Sequence, residues 1–491
     1  MSWASRRWER FVVAGAAESA RYYTGRSSTL KRKTNLNVAL SGAQPTIVPR
    51  SGHPISRAAI SGNALRVLYR LKEGGYQAFL VGGSVRDLLL GLQPKDFDIA
   101  TNASPDEVRA LFRNCRLIGR RFRLAHVYFG SEIVEVATFR AAHQWQPEER
   151  DEDEWHASDP AAQRVLDARG RILRDNVYGT IEEDVWRRDF TANALYYNIE
   201  DFAVWDFVGG VQDVAARRLR LIGDPVTRYH EDPVRMLRAI RFAAKLDFSI
   251  EPHTEAPILE LAYLLTHVPA ARLFDEALKL FLSGFGWKAL QMVQRYGLLE
   301  PLFPQVAEIL RRKPGEAEAR LLQAGLESTD ARVVADKPVT PTFLFAILFY
   351  GPVTERARGL HASGQPETLA LFNACEETVR EQQGRMSIPR RFTLPMREMF
   401  TLQLRFRRRE GKKALSLLSH PRFRAAYDLL LLRAQVGAED AELARWWTDV
   451  QSAPSAEREA MVKAGSGTAH VPGTRRPRRR RRRRRPSSAR S

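Results

Sequence analysis

Cysteine is almost missing from this chain. Its 491 residues include two, Cys115 and Cys375, far apart and outside any CxxC pair. That excludes a disulfide framework and a cysteine-based zinc site, and it fits a reducing, cytoplasmic setting. No apolar run reaches the ~18–20 residues that a membrane-spanning helix needs, so no membrane partner is expected. The opening stretch MSWASRRWERFVVAGAAESA sets arginines ahead of a short apolar patch, but Glu9 and Glu18 bracket it and it is too short for a secretory signal. Acid is in deficit, with 57 Asp and Glu against 77 Lys and Arg, for a net charge of +20. Eleven of the arginines fall in RRPRRRRRRRRPSSAR, Arg475 to Arg490, and taking them away still leaves +9. A surplus spread through the rest of the chain points to a polyanionic partner rather than to a solvated charge run alone. There is no internal repeat.

What is present is ordinary globular material, 44% hydrophobic and 27% charged, enough for two to four domains. Residues 1–50 lack sustained periodicity and are expected to be a disordered extension. Residues 51–222 read as an α+β domain. A helix from near Ser56 stops at Gly74-Gly75, and the strand AFLV, Gly82-Gly83 and a short helix SVRDLLLG follow. Next come a strand DFDIA, a helix from Ser104 with Pro105 in its first turn, and a hairpin AHVYFGSEIVEVATF. The polar, acidic stretch His143 to Gln163 reads as a mobile excursion. The pattern beyond Gly223 is almost purely helical to about 455, and 456–491 reads as a disordered arginine-rich tail.

The chemistry concentrates in FLVGGSVRDLLLGLQPKDFDIATN, Phe79 to Asn102. On a strand, Asp96 and Asp98 share one face while Phe97 and Ile99 take the other. Two carboxylates that close repel unless a divalent cation bridges them; the bland alternative is a solvated strand face. Gly82-Gly83, between strand and helix, offers backbone N–H groups to a phosphate, or simply makes a tight turn. Arg86 is placed to reach that phosphate or to pair with Asp87. Glu135, in the hairpin, would complete a three-acid cage for two Mg2+ ions, or face solvent. Hard oxygen ligands of this kind suit magnesium, and two ions would hold the attacking and leaving oxygens of a phosphoryl displacement.

LVGGSVRDLLLG…KDFDIATNASP, then RRDFTANAL and EDPVRMLRAIRFAAKL, resemble in this order the head-and-neck signature of the bacterial poly(A) polymerase and CCA-adding nucleotidyltransferase family, over about Ile55 to Phe285. LFRNCRLIGRRFRLAHVYFG and the arginine-rich tail resemble the poly(A) polymerase branch. Ser84 stands where a third glycine is common, but the GGxxRD frame is intact. The resemblance implies a nucleotidyltransferase head with a mixed or antiparallel sheet (51–222), a helical neck (223–285), a helical body (286–455) and the basic tail. It implies that Asp96 and Asp98 are metal-binding catalytic acids, with Asp189 and Glu135 as further acids whose ranking stays open. Gly82, Gly83 and Arg86 would contact the triphosphate, and Arg187 and Arg188 of RRDFT the ribose and phosphates. Arg120, Arg121 and Arg123 either line the same cleft or are plain surface.

In the family, the EDxxR motif (here Glu231, Asp232 and Arg235) selects the base by hydrogen bonding, and Arg238 lies on the same helix. The sequence also allows a simpler role, with Asp232 capping a helix whose apolar face is Met236, Leu237, Ile240, Ala243 and Ala244. In the body, Arg407, Arg408 and Arg409 are RNA-binding candidates, as are Arg478 and Arg480 in the tail. Tyr427 and its neighbouring leucines read as core rather than as stacking platforms. The activity implied is template-independent addition of AMP from ATP to RNA 3′ ends, with pyrophosphate released. The expected partners are RNA 3′ ends, ATP and proteins of RNA decay, with the enzyme a monomer. The alternatives are tRNA CCA addition and an inactive RNA-binding protein. None of the ten histidines precedes an aspartate, which removes the CCA-adding variant that carries a His-Asp phosphohydrolase domain.

Overall fold

The structure, a computed structural model, describes residues 44–119, 123–141, 165–166, 172–174, 177–312 and 315–464. His143 to Gln163, Arg120, Arg121, Arg478 and Arg480 lie outside them. The chain divides into two compact units, one of residues 1–312, 326–339 and 380–388, the other of 313–325, 340–379 and 389–491.

The first unit is built on an eight-stranded sheet: β1 (Thr46–Val48), β2 (Ala78–Val81), β3 (Asp98–Thr101), β4 (Cys115–Ile118), β5 (Leu124–Phe129), β6 (Glu132–Thr138), β9 (Leu195–Asn198) and β10 (Val204–Asp206). A separate two-stranded ribbon pairs β7 (Val165–Leu166) with β8 (Ile172–Arg174). The order across the sheet is β1-β10-β9-β2-β3-β6-β5-β4, antiparallel throughout except for the parallel β3/β6 pair. The α+β class with a mixed sheet is thus as expected.

Local chemistry explains the elements. β2, AFLV, is buried at every position, as suits a central strand covered on both faces. Helix α1 (Gly62–Glu73) buries Ala64, Val67, Leu68 and Leu71, one stripe at helical spacing. It starts six residues later than Ser56, because Ser61 is the residue whose side chain caps it, accepting from the Asn63 and Ala64 amides. Helix α2 (Gly83–Leu89) follows Gly82, whose φ of 74° is open to glycine at little cost. Helix α3 (Pro105–Leu111) opens with a capping box between Ser104 and Glu107. One sheet face, through Phe79, Val81, Ala100 and Tyr196, packs on Ile181 and Val185 of α4 (Ile181–Arg187).

Two differences from the sequence reading matter. β1 lies inside the stretch expected to be disordered, pairing with β10 as an edge strand too short to signal itself. β3 begins at Asp98, so Asp96 sits on its approach rather than in the strand. β2 ends opposite Asp98, at Val81, and the chain turns away at Gly82. Residues on both sides of the 222/223 junction lie in one compact unit. β11 (Arg218–Leu219) pairs in parallel with β12 (Ser249–Ile250) across that junction.

Beyond α5 (Gly210–Ala215), the neck stretch carries α6 (Pro225–Glu231), α7 (Val234–Leu246) and α8 (Ala270–Phe281). α7 buries Met236, Leu237, Ile240, Ala243 and Ala244, the face read from its spacing. In the second unit, Trp447 is buried against Phe406 and Phe423 and donates from Nε1 to the Phe406 carbonyl at 2.9 Å. Tyr427 stacks on Phe423 with centroids 6.0 Å apart and is a core residue. A helix over Ser455–Ala464 extends past residue 455. Among the described residues, no helix is long and apolar enough to cross a membrane.

Candidate active site

One row of paired residues crosses the middle of the sheet. Val81 faces Asp98, Asp98 faces Glu135, and Glu135 faces His126. Directly paired residues share a face, so the register sets Asp98, Glu135 and His126 side by side. Asp96 stands two residues before Asp98 on the approach. His126 Nε2 lies 3.3 Å from Glu135. Asp98 stays open to solvent on one side. Even so, the surrounding protein, then Glu135, then Asp96 push its carboxyl up to about 6, against the opposing pull of Arg188 and His126.

Among the described residues, Asp96 and Asp98 have no hydrogen-bonding or ion-pair partner. Nor do any three His, Cys, Asp or Glu side chains there gather into a ready-made metal cage. That combination fits magnesium better than a caged ion. Mg2+ is held by one or two carboxylates together with substrate phosphate oxygens, and crowded acids without a base of their own supply the charge such an ion would offset.

The glycine turn abuts this row. A Cβ on Gly82 would come within 3.7 Å of Arg188 Nη1, and one on Gly83 within 3.3 Å of Arg86 Nη2. Arg86 is neither a surface arginine nor a free one. It is 3% exposed, donates to Asp87 Oδ1 from Nε and Nη2 at 2.9 and 2.7 Å, and to Asn193 Oδ1 from Nη1 at 2.5 Å. The Asp87 alternative is therefore what the structure contains, in buried form, with Arg86 bracing the turn from beneath.

Arg188 is fixed by a small buried network. Its Nε and Nη2 donate to Asp184 Oδ2 at 3.1 and 2.9 Å, Nε also donates to the Tyr196 hydroxyl at 2.7 Å, and that hydroxyl donates to Asp184 at 2.7 Å. Burial alone would lower the pKa of Arg188, but Tyr196 and Asp184 reverse the effect and raise it. A permanent positive charge is thereby held between the glycine turn and Asp98. Arg187 instead donates to the Ala141 carbonyl at 3.0 Å. The carbonyls of Arg187 and Arg188 both accept from Arg228 Nη2 of α6, at 3.3 and 2.7 Å.

Asp189 sits apart from the acidic row, and its oxygens are taken. Arg238 of α7 donates to Oδ2 from Nε and Nη2 at 2.8 and 2.5 Å, while the Phe190 amide and Asn193 Nδ2 donate to Oδ1 at 2.8 and 3.3 Å. Burial would push this carboxyl up, yet Arg238 and the added hydrogen bonds hold it below its ordinary value. A continuous chain of contacts, Arg86–Asn193–Asp189–Arg238, thus ties the glycine turn to the neck helix.

The other neck residues are engaged locally. Asp232 accepts from Arg272 at 2.7 Å and from the Val234 amide at 3.3 Å, close to the capping role its sequence allows. Arg235 bonds Glu231 at 2.9 Å and the Arg228 carbonyl at 2.6 Å, so Asp232 and Arg235 are not paired with each other. Arg123 pairs with Asp106 at 3.3 Å on the surface. In the second unit Arg407 pairs with Glu367 and Glu439, and Arg409 with Glu442. Arg408 is exposed without an acid partner among the described residues.

Sequence reasoning missed Asp184, Tyr196, Asn193 and His126. Asn193, in the quoted RRDFTANAL, was within reach, and so was Asp184, one helical turn before Arg188; Tyr196 and His126 come to the site only through strand register and tertiary packing.

Known proteins resemble this chain over most of its length. Residues 78–220 match a family described as "Poly A polymerase head domain", residues 247–310 "Probable RNA and SrmB- binding site of polymerase A", and residues 363–486 "Polymerase A arginine-rich C-terminus". Poly(A) polymerase I of Salmonella typhimurium strain LT2 is 48% identical over 88% of this chain and 91% of its own. The protein of that name from Haemophilus influenzae is 44% identical over 89% and 93%. A CCA-adding enzyme of Bacillus licheniformis is 35% identical but matches only 49% of this chain and 55% of its own. Among solved structures, a tRNA-processing enzyme in an apo form superposes with a TM-score of 0.55 at 22% identity, covering 82% of this chain and 99% of that one. This last likeness speaks for the fold.

Proposed function

This chain belongs to the family of bacterial poly(A) polymerases I, and on that premise we propose that it is a template-independent polynucleotide adenylyltransferase whose reaction centre is the row Asp96, Asp98 and Glu135. The observation that carries the assignment is the in-register pairing of Asp98 with Glu135, beside Asp96 and next to the Gly82 turn and Arg188. AMP passes from ATP to an RNA 3′ end: a bond forms from the 3′ oxygen to the α-phosphorus, the bond to the bridging oxygen of the β-phosphate breaks, and pyrophosphate leaves. The hydroxyl proton is released toward the carboxylate row.

Asp96, Asp98 and Glu135 are the residues that would hold two magnesium ions, together with phosphate oxygens. Magnesium, when bound, supplies charge stabilisation at the attacking and leaving oxygens. Gly82 and Gly83 receive the triphosphate, braced by Arg86. Arg188 adds fixed positive charge where the transition state gathers negative charge. Asp189 acts as a positioning residue by anchoring Arg238. Asp232 and Arg235, each oriented by a neighbour, offer their uncommitted polar atoms to the base edge, where a mismatched base would leave them unpaired. Arg408, and the tail with Arg478 and Arg480, contribute salt-dependent grip on RNA. The enzyme is proposed to work as a monomer in the cytoplasm alongside proteins of RNA decay.

The test is extension of two labelled primers, oligo(A) RNA and a tRNA lacking its CCA end, with ATP, CTP or both. Long ladders on oligo(A) with ATP alone are expected. A product on the tRNA that stops after C, C and A, with oligo(A) ignored, would overturn the reading.

A further inference from the structure

The side of the sheet away from the acidic row carries a constellation that the reaction does not use. Val81 pairs with both Asp98 and Tyr196, so these share one face, and Tyr197, the next residue of β9, takes the other. β9 also runs away from the glycine turn. The Gly82 amide donates to the Leu195 carbonyl at 3.3 Å, and Asn198 pairs with Phe79. The turn between β9 and β10, which carries Phe202, therefore closes the sheet at its far end.

Phe202 has a φ of 58°, a left-handed conformation that is unfavourable for a bulky residue and persists only where its surroundings fix it. Its carbonyl accepts from His53 Nε2 at 2.9 Å, and its ring lies under the Arg57 guanidinium at 4.6 Å. Arg57 donates from Nη1 to the Tyr69 hydroxyl of α1 at 3.1 Å, and Arg50 donates to the His53 carbonyl at 3.2 Å. Arg50, His53, Phe202, Arg57 and Tyr69 thus form one connected chain of contacts. His53 packs edge-on against buried Tyr197 at 6.0 Å, and the charges of Arg50 and Arg57 both reach the Tyr197 hydroxyl, which is buried without a hydrogen-bond partner. Both arginines are exposed, and neither has an acid within ion-pair distance among the described residues. The acids on the same elements are engaged elsewhere: Glu73 with Arg70 and Glu200 with Lys72, each at 3.7 Å, and Asp201 with the Ala203 amide at 2.9 Å. Two guanidinium groups held by an aromatic ring, a hydroxyl and a backbone carbonyl, with no acid between them, are preset for an anion.

We propose that Arg50, Arg57 and the Phe202 ring form an exosite for the phosphodiester backbone of RNA upstream of its 3′ end. Exposed cations over half-buried aromatics make an open surface, which suits a strand laid across it better than an enclosed small anion. RNA is also the polyanion that the surplus of positive charge calls for. The exosite lies on the opposite face of the sheet from Asp98 and at its other end, so only a primer long enough to pass around the head engages both. The inference rests on the reading of RNA as substrate, and its main readout is binding without turnover.

The full chain is titrated with labelled oligo(A) of about six and of about thirty nucleotides, below and above the span of single-strand sites, over a series of salt concentrations and without ATP. Arg50→Gln with Arg57→Gln is expected to weaken binding of the long RNA about tenfold at low salt. The slope of log affinity against log salt should fall by about 1.4, two single-strand phosphate contacts at about 0.7 each. Arg57→Lys alone should keep most of the slope. Binding of the short RNA should hold, and in steady state KM for the long primer should rise while KM for ATP does not. Phe202→Asn, which accepts the left-handed backbone but lacks the ring, should weaken the long RNA in the same direction without lowering the melting temperature by more than a few degrees. An unchanged salt slope on the long RNA would overturn the proposal, as would equal losses on both lengths, which would assign the effect to the 3′-end site. A chain that binds RNA as described but makes no poly(A) would uphold the exosite and defeat the assigned activity instead.

Discussion

Asp189→Asn separates two roles that the RRDFT aspartate could have. In the structure its carboxylate is 12% exposed and takes both donors of the Arg238 fork, the Phe190 amide and Asn193. Replacing it with an amide leaves a guanidinium facing a neutral group. Breaking one side of a buried ion pair costs about 3–5 kcal/mol. The Arg238 side chain is 32% exposed, so the low end, about 3 kcal/mol, applies. For a unit of this size that is about 6 °C in melting temperature, at roughly 2 °C per kcal/mol. Arg238→Met in the same chain should restore part of the loss, with a coupling of about 1 kcal/mol or more in a double-mutant cycle followed by thermal melting. AMP incorporation by the single variant should fall, through a displaced neck helix, but not vanish. If Asp189→Asn abolished incorporation while leaving the melting temperature within a degree, the residue would belong with the metal-binding acids and the anchoring role would be wrong.

Two further outcomes follow from the same geometry. His53 Nδ1 accepts from the Ile55 amide at 3.2 Å, which fixes Nε2 as the protonated nitrogen donating to the Phe202 carbonyl at 2.9 Å. Burial holds its pKa below the ordinary 6.5, so the unfolded chain takes the proton first. Stability should be fully present above pH 6.5 and decline below it, and His53→Gln should flatten that limb of the pH–melting profile. Chelation with EDTA should stop AMP incorporation without shifting the melting temperature, because no metal cage holds the fold together among the described residues. A drop of several degrees would instead signal a structural ion.

The parts of the head that were legible in the sequence are those governed by local chemistry. Gly82-Gly83 after AFLV, Ser104 followed by Pro105 and the alternation of EIVEVAT each constrain the backbone within a few residues. That alternation set Glu135 on the face away from Val134 and Val136, and the register of β6 with β3, which the sequence does not carry, brings that face beside Asp98. The pairing of Arg86 with Asp87 was legible, but its burial and the role of Asp189 were not. The bond from Arg86 to Asn193 spans 107 residues and that from Arg238 to Asp189 spans 49, and only packing shows that the arginine is sealed under the turn and the Asp189 carboxylate spent on α7. Arg188 was visible as a motif residue, with Asp184 one helical turn before it, whereas Tyr196, which helps to hold it, was not. β1 escaped notice because an edge strand of three residues carries no period.

The account stands most directly on Asp98. Asp98→Asn keeps shape and removes the charge at the centre of the row, so AMP incorporation on oligo(A) should fall by about a hundredfold or more. RNA affinity, measured in the same buffer at fixed salt, should match the parent. Incorporation at the parent rate would contradict the account, because no reaction centre would then pass through the Asp96–Asp98–Glu135 row.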